Sequence, residues 1–300
     1  MNATFRQLRL FLALADSGSV TGAARIMHVT QPTASMQLRE LADSVGLPLF
    51  EVVARRVHLT DAGLELARVA RAMADEWDAF GQYVDGVRGL TRGKLRVAVV
   101  STAKYFIPRL LGTFCARFPD IEVALEVLNR DGVVRRLESN LDDLYIMSRP
   151  PANIDIRDDV FMPNPLMLVA PAGHRLAGQC GLGLDDLRAE RFILREQGSG
   201  TRMATDEHFR GQKFRPDIRL ELGSNEAIKQ AVAGGLGLAV LSAHALGENP
   251  AQDGVVALDM AGFPIESSWH IVHRGGKRLS PVAAAFRQLL VEQAKSIQLY

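Results

Sequence analysis

The chain has 300 residues, 47% hydrophobic and 23% charged, a soluble globular balance large enough for two domains with separate cores. A net charge of +1 excludes a global basic field, so any nucleic-acid contact has to come from local geometry. Cys115 and Cys180 form neither a CxxC pair nor a Cys/His cluster, which excludes a zinc finger and a disulfide framework and suits a reducing compartment.

The N-terminal stretch MNATFRQLRLFLALADSGS does not read as a signal peptide, because Arg6 and Arg9 interrupt its apolar run and Asp16 follows. No apolar run reaches membrane-spanning length, so a cytoplasmic protein with no membrane partner is expected. Phe5, Leu8, Phe11, Leu12 and Ala15 follow helical spacing, and Thr4 with Gln7 forms a capping-box pattern. Asp16-Ser17-Gly18-Ser19 ends this helix and caps a second, in which Ala23, Ala24 and Met27 share a face. His28-Val29 is a short turn, and Thr30 is the N-cap of a third helix. Pro32 fits only in that helix's first turn, where its missing N–H is not needed. Ala34, Leu38 and Leu41 then turn inward, leaving Gln31, Thr33, Ser35 and Met36 near a polar front.

Two helices joined by a tight turn, the second polar at its N-terminal end, describe a helix-turn-helix. Glutamine can donate to and accept from an adenine edge, and serine and threonine can bond several bases. The alternative is a three-helix bundle whose third helix merely faces water. Gly46 ends the third helix, and Leu49-Phe50 supplies apolar anchors. Val52-Val53 and Val57-His58-Leu59 are expected to pair as a hairpin with Arg55-Arg56 at its tip. Beside a recognition helix this is a wing, its guanidinium groups meeting phosphates or a narrow minor groove; alone, it is a solvated turn.

Thr60 and Asp61 open a further helix. Leu66, Ala70, Met73, Trp77, Phe80, Val84 and Val87 are spaced alternately by four and three residues, a heptad seam that suits dimerisation. The alternative is a helix packed on its own domain. Gly86, Gly89 and Gly93 mark a flexible boundary.

From Leu95 onward strands alternate with helices, which predicts an α/β domain with a largely parallel sheet. Strands are expected at residues 95–100, 121–128, 144–147, 166–170, 192–194, 219–222, 238–241 and 269–272. Helices are expected from Ser101 to about Phe118 and over 132–139, 201–210, 225–233 and 281–295. Ligands of such sheets sit beyond the strand C-termini, often at helix N-termini. Three loops qualify: Ser101-Thr102, Ser148-Arg149-Pro150-Pro151, and Glu196 to Arg202 with Gln197, Gly198, Ser199 and Thr201. Together they suit a small-anion pocket; singly, each hydroxyl would only cap its helix.

Catalytic readings are weak. GSG lacks the Gly-Lys-Ser/Thr of a P-loop, and Ser199 lacks the G-x-S-x-G elbow. Asp142-Asp143 and Asp185-Asp186 are expected to be solvated or capping residues, and the histidines show no HExxH spacing, although His270 and His273 could line a cleft. Cys115 lies on an apolar helical face and is expected in the core.

The N-terminal part of the chain, from Leu8 to Gly63, resembles the LysR-type transcriptional regulators through LRLFLALADSGSVTGAARIMHVTQPTASMQLRELADSVGLPLF and VHLTDAG. Phe11, Gly18, Ser19, Ala23, Ala24, Gln31, Pro32, Ser35, Leu41, Gly46, Leu49, Phe50, Thr60 and Gly63 all stand in that pattern. The resemblance implies that Gln31, Pro32, Thr33, Ser35, Met36 and Arg39 form the DNA-reading face and that Arg55 and Arg56 hold the DNA backbone. Three positions depart: Val52 and Met36 stand where arginine is usual, and Ala42 replaces a glutamate. The first 66 residues carry six arginines, no lysine and six carboxylates, so modest non-specific DNA affinity is expected.

The remainder is similar to the CbbR-like regulators of carbon-dioxide-fixation operons, through VVSTAKYFIPRLLGTFCARFPDIEVALEVLNRDGVVRRLESNLDDLYIMSRPP and REQGSGTR. Tyr145 and Ser148 depart from the small residues usual there, beside the expected pocket. The resemblance implies an α/β architecture: a winged helix-turn-helix over residues 1–60, a dimerisation helix over 61–90, and a two-lobed, periplasmic-binding-protein-like effector domain over 91–300. It implies no cofactor and no enzyme activity. The implied partners are a double-stranded DNA operator, a second copy in a dimer or dimer of dimers, and RNA polymerase, in an activator. The implied effectors are phosphorylated sugars and acids or NADPH. A regulator of another operon with a carboxylate effector is the alternative; a solute-binding protein or an enzyme using the same cleft stands further off.

Overall fold

The computed structural model describes residues 2–53, 56–87, 93–247 and 249–294. The chain divides into two compact units, one formed by residues up to Val84 and the other by most of the rest.

The first unit opens with α1 (Phe5–Ser17), α2 (Val20–Ile26) and α3 (Gln31–Val45). Thr4 and Gln7 form the capping box of α1, and Gly18 ends it in the left-handed region at φ 63°. Ser19 caps α2 and Thr30 caps α3, each accepting from the N–H three residues on. Pro32 lies in the first turn of α3, as its chemistry requires. The core is Leu8, Leu10, Phe11, Leu14, Ala23, Ala24, Ala34, Leu38, Leu41 and Leu49, all buried. Ala23 and Ala34 are fully buried, and their small side chains let α2 and α3 approach closely. β1 (Phe50–Val53) and β2 (Arg56–Leu59) pair antiparallel, Phe50 opposite Leu59 and Val53 opposite Arg56.

α4 (Asp61–Val87) follows, with Thr60 Oγ1 accepting from Gly63 N at 3.1 Å. Gly63 is required: a Cβ there would stand 1.9 Å from the Leu49 carbonyl oxygen. The heptad seam divides. Ala70 is buried in the head's own core and Leu66 packs against it, so the first turns of α4 belong to this unit. Met73, Trp77, Phe80 and Val84 are exposed. The Val87 side chain, Arg55 and Gly89 lie outside the described residues.

The second unit has two five-stranded sheets, one per lobe. In the first lobe β3 (Gly93–Val100), a 3-10 turn at Ser101–Tyr105, α5 (Ile107–Arg117), β4 (Ile121–Leu128), α6 (Arg130–Glu138) and β5 (Leu144–Met147) alternate. The single helix expected from Ser101 is broken at Phe106, and α5 begins afresh with Pro108 in its first turn. β6 (Ile156–Pro163) then leads into the second lobe. There follow β7 (Leu166–Pro171), β8 (Arg191–Arg195), α7 (Gly200–Gly211), β9 (Asp217–Leu222), α8 (Asn225–Ala233), β10 (Leu238–Ser242) and β11 (Val255–Ala257). β12 (Ser268–Arg274) returns to the first sheet, and α9 (Pro281–Ala294) packs on it.

The sheet orders are β4-β3-β5-β12-β6 and β11-β7-β10-β8-β9. Pairs β3–β4, β3–β5, β8–β9 and β8–β10 are parallel; β5–β12, β6–β12, β7–β10 and β7–β11 are antiparallel. The expected largely parallel sheet is thus two mixed sheets, because β12 in the first and β7 in the second run against the βαβ strands, and the edge strands β6 and β11 pair antiparallel with those two. β5 and β10 are buried throughout, as central strands covered on both faces must be. Trp269, Phe114 and Phe286 are fully buried in the first lobe and Phe192 in the second; each such side chain contributes about 1.5–3 kcal/mol. Cys115 is only half-buried, at the edge of this core.

The acidic pair Asp142-Asp143 is buried rather than solvated. Asp142 takes two hydrogen bonds from Arg136 at 2.7 and 2.8 Å, and Asp143 accepts from Arg96 N at 2.8 Å. Asp185 and Asp186 behave as expected: Asp185 pairs with exposed Arg188, and Asp186 accepts from Gly183 N.

Candidate nucleic-acid interface and effector cleft

The front of α3 presents Gln31, Pro32, Met36 and Arg39 exposed, with Thr33 and Ser35 half-buried. Gln31 Nε2 donates to Ser35 Oγ at 3.0 Å, and the Thr30 and Thr33 hydroxyls lie 2.8 Å apart. These are exposed bonds between neighbours, readily exchanged for a base edge. Arg56 begins β2 and is exposed. Beside it Val52 and Val53 are 61% and 55% exposed, so the wing shows valine where it would meet phosphate.

Phe5 of α1 and Ala72, Met73, Glu76, Trp77 and Phe80 of α4 line an apolar groove of about 670 Å³. The Phe5 and Trp77 rings lie 5.8 Å apart, and Trp77 and Phe80 6.2 Å. This exposed aromatic row is the free part of the seam.

In the second unit the three loops expected to hold an anion meet where the lobes face each other. Ser101 Oγ accepts from Arg195 Nη2 at 3.1 Å, and Thr102 Oγ1 from Asn225 Nδ2 at 3.2 Å. Both bonds cross from one lobe to the other. Lys104 and Tyr105 both donate to Glu226, the former at 2.8 Å. At the opposite rim Arg149 donates to Glu207, and Asp131 N donates to Gly198 O at 3.3 Å. Gly198 has φ +81°, and a Cβ there would stand 2.3 Å from Asp131 Oδ2. Glycine is needed both for the turn and for the close approach.

Some expected ligands are already committed. Arg202 is buried, gives two bonds to Asp206 at 3.0 and 2.9 Å, and reaches Glu221 at 2.6 Å and the Arg195 carbonyl at 2.8 Å. Burial lowers its pKa, but Glu221 and Asp206 outweigh that and raise it. It braces α7 to β8 and β9, with its cationic face turned to protein carboxylates. The Gln197 side chain is exposed while its N–H donates to Glu221. Tyr145 is fully buried and does not line the cleft. Its hydroxyl donates to Arg136 O at 3.0 Å and accepts from Asp142 N at 2.9 Å, at the N-terminal end of β5. Ser148 does stand in the cleft, its Oγ 3.1 Å from where a Cβ of Gly200 would lie. Ser199 and Thr201 are buried at the start of α7, and the Ser199 hydroxyl makes no capping bond.

Sequence reasoning missed Arg195, Asn225, Glu226 and Arg130. Arg195 is 3% exposed and holds Glu196 at 2.8 and 3.0 Å and Asn225 at 2.7 Å. Its position at the end of β8, just before the expected loop, was the available signal. His270 binds Asp158 at 2.8 Å and buried His273 the Arg274 carbonyl at 3.1 Å, both on the crossing strand β12. Among the described residues no group of His, Cys, Asp and Glu has metal-binding geometry, and no helix is long and apolar enough to cross a membrane.

Residues 5–64 match the family described as bacterial regulatory helix-turn-helix protein, lysR family, and residues 88–295 the LysR substrate binding domain. The chain is 43% identical to a RuBisCO operon transcriptional regulator of Allochromatium vinosum, covering 98% of this chain and 97% of that protein. It is 39% identical to the HTH-type transcriptional activator CmpR of Synechocystis, covering 99% and 98%. Among solved structures, the Synechocystis CcmR regulatory domain in complex with 2-PG is 46% identical, with a TM-score of 0.67, over 69% of this chain and 99% of that one. Full-length OxyR from Pseudomonas aeruginosa, 21% identical, shares the fold over 98% of this chain at a TM-score of 0.77. With a helix-turn-helix head, an effector cleft and relatives that are regulators along their whole length, the chain belongs to the LysR family of DNA-binding transcriptional regulators.

Proposed function

We propose that this regulator activates carbon-dioxide-fixation genes in the cytoplasm and senses a small phosphorylated metabolite in its effector cleft. The observation that carries the reading is the near-complete alignment, at 39–43% identity, with CmpR and RuBisCO operon regulators. The regulatory domain of one relative takes 2-PG, and the cleft here gathers hydroxyls, a helix N-terminus and arginines, which suit a phosphorylated acid or the phosphates of NADPH. Gln31, Pro32, Thr33, Ser35, Met36 and Arg39 read the operator, and Arg55 and Arg56 hold its backbone. Met73, Trp77, Phe80 and Val84 join two copies, and dimers pair into a dimer of dimers that recruits RNA polymerase.

The mechanism is linkage. An effector that favours one arrangement of the lobes changes contacts between subunits and so the spacing of the reading heads. DNase footprints of the full-length protein on the DNA upstream of a RuBisCO operon, with and without 2-PG, test it. A footprint whose length or internal cleavage changes with 2-PG supports the proposal. Saturation by 2-PG with footprint and bend unchanged would sink the linkage, and no footprint on that DNA would sink the operon.

A further inference from the structure

The anion reading of the cleft leaves open which group tells a phosphate from a carboxylate. We infer that Arg130 is that residue: it makes the cleft select a doubly charged phosphoryl group over a singly charged carboxylate. The inference rests on the anion-cleft reading above.

Arg130 opens α6, and its Nε donates to the Arg149 carbonyl at 2.7 Å, which fixes the plane of the guanidinium. Its side chain is only 13% exposed. The nearest carboxylate oxygen, Asp131 Oδ1, is 3.6 Å from Nη1, beyond hydrogen-bond range, and belongs to a half-exposed side chain. The terminal N–H groups of Arg130 carry no hydrogen bond among the described residues. Among the described residues the other arginines at these loops are committed: Arg195 to Glu196 and Asn225, Arg202 to Asp206 and Glu221, Arg149 to Glu207. Burial lowers the Arg130 pKa, the Asp131 charge opposes that, and Arg149 adds to the lowering. Arg130 is therefore a shielded cation whose surroundings leave its charge undercompensated.

What faces it is the open end of α7. The position of a Gly200 Cβ is 3.8 Å from Arg130 Cδ and 3.1 Å from Ser148 Oγ. α7 has 12 residues, and its first N–H groups have no partner within the helix. Ser199, at its N-cap, is 3% exposed, and its hydroxyl makes no hydrogen bond among the described residues. Among the described residues the hydroxyls of Ser148 and Thr201 donate none either. A carboxylate would be satisfied by the helix N–H groups and one hydroxyl. A phosphoryl group brings a third oxygen and a second charge, which the free edge of a planar guanidinium matches.

Calorimetric titration of the full-length protein with 2-PG and with inorganic phosphate tests this, using wild type, Arg130→Gln and Arg130→Lys. A phosphate monoester takes its second charge near pH 6, so wild-type affinity for 2-PG should rise between roughly pH 5.5 and 7.5. Arg130→Gln should bind about tenfold or more weakly at the upper pH and lose that rise. Arg130→Lys keeps the charge but not the fork; several-fold weaker binding with the rise retained is expected. Arg130→Gln with wild-type affinity and an unchanged rise would overturn the assignment and leave the anion cleft standing. Should Arg130→Gln not fold, unchanged affinity in Arg130→Lys would overturn it. A wild type that binds neither 2-PG nor phosphate would remove the anion-cleft reading and the inference with it.

Discussion

Asn225 Nδ2 lies 3.2 Å from Thr102 Oγ1, and both residues are more than nine-tenths buried. The bond ties the turn after β3 to the start of α8 and so one lobe to the other. Thr102→Val keeps the shape but leaves the Asn225 amide without its acceptor. A buried unsatisfied donor costs about 1–3 kcal/mol. Thermal unfolding of the full chain should show the effector-domain transition lowered by several degrees, at roughly 2–4 °C per kcal/mol. A transition unmoved by Thr102→Val would mean that the bond contributes nothing.

Glu226 makes stability depend on pH. Burial would raise its pKa, but Lys104 and Tyr105, then its own backbone N–H and Ser224, outweigh burial and hold it down at about 2, from 4.5. The folded state thus favours the carboxylate. Its stabilisation is complete above pH 4.5 and is lost as pH falls from there toward 2. Glu226→Gln should be less stable than wild type at neutral pH, and the gap should close through that acidic window. A gap that stays constant with pH would show that the charge of Glu226 is immaterial.

Most of this architecture was legible because its signals are local. Thr4 with Gln7, Ser19, Thr30 and Pro32 announce helix starts whatever surrounds them, and residues 95–100 and 238–241 are apolar enough to be central strands. β6 was not legible: Asp158 and Asp159 interrupt its apolar pattern, and only the fold supplies their partners, His270 on the neighbouring strand and Arg287 on α9. β11 has three residues, too few for a pattern. In the cleft, chain order placed Ser148 and Ser199 near the strand ends. It could not tell that Arg202 is spent on Asp206 and Glu221, or that Arg130 stands open, because ion pairing is settled by tertiary contacts. Tyr145 was misplaced for a similar reason: a large residue near a loop looks like lining until its hydroxyl is seen closing a turn behind the sheet.

The wing carries a prediction of its own. Val52 faces Val57 in the hairpin and is 61% exposed. Val52→Arg adds a cation where a winged head meets phosphate. DNA affinity should rise, and the slope of log affinity against log salt should steepen by about one per wing. Fluorescence anisotropy over a range of salt concentrations reads both; an unchanged slope would mean that the wing edge does not touch the backbone.

The divided seam of α4 predicts opposite outcomes for residues one heptad-face apart. Ala70 is buried in the head's core and Leu66 packs there, whereas Trp77 is 61% and Met73 48% exposed. Leu66→Ala should therefore destabilise the head, by about 2 kcal/mol for a partly buried leucine, while a copy that folds still pairs. Trp77→Asp gives up the ring contact with Phe5 and should cost the head about 1 kcal/mol, less than Leu66→Ala. It should nevertheless break the self-association that the exposed row supports, because a carboxylate in an apolar contact between copies would be buried without a partner. Sedimentation velocity and thermal unfolding of both variants separate the two effects. If Trp77→Asp sedimented as wild type does, the exposed row would not be the contact between copies. If Leu66→Ala dissociated the protein without lowering its unfolding temperature, the first turns of α4 would belong to that contact after all.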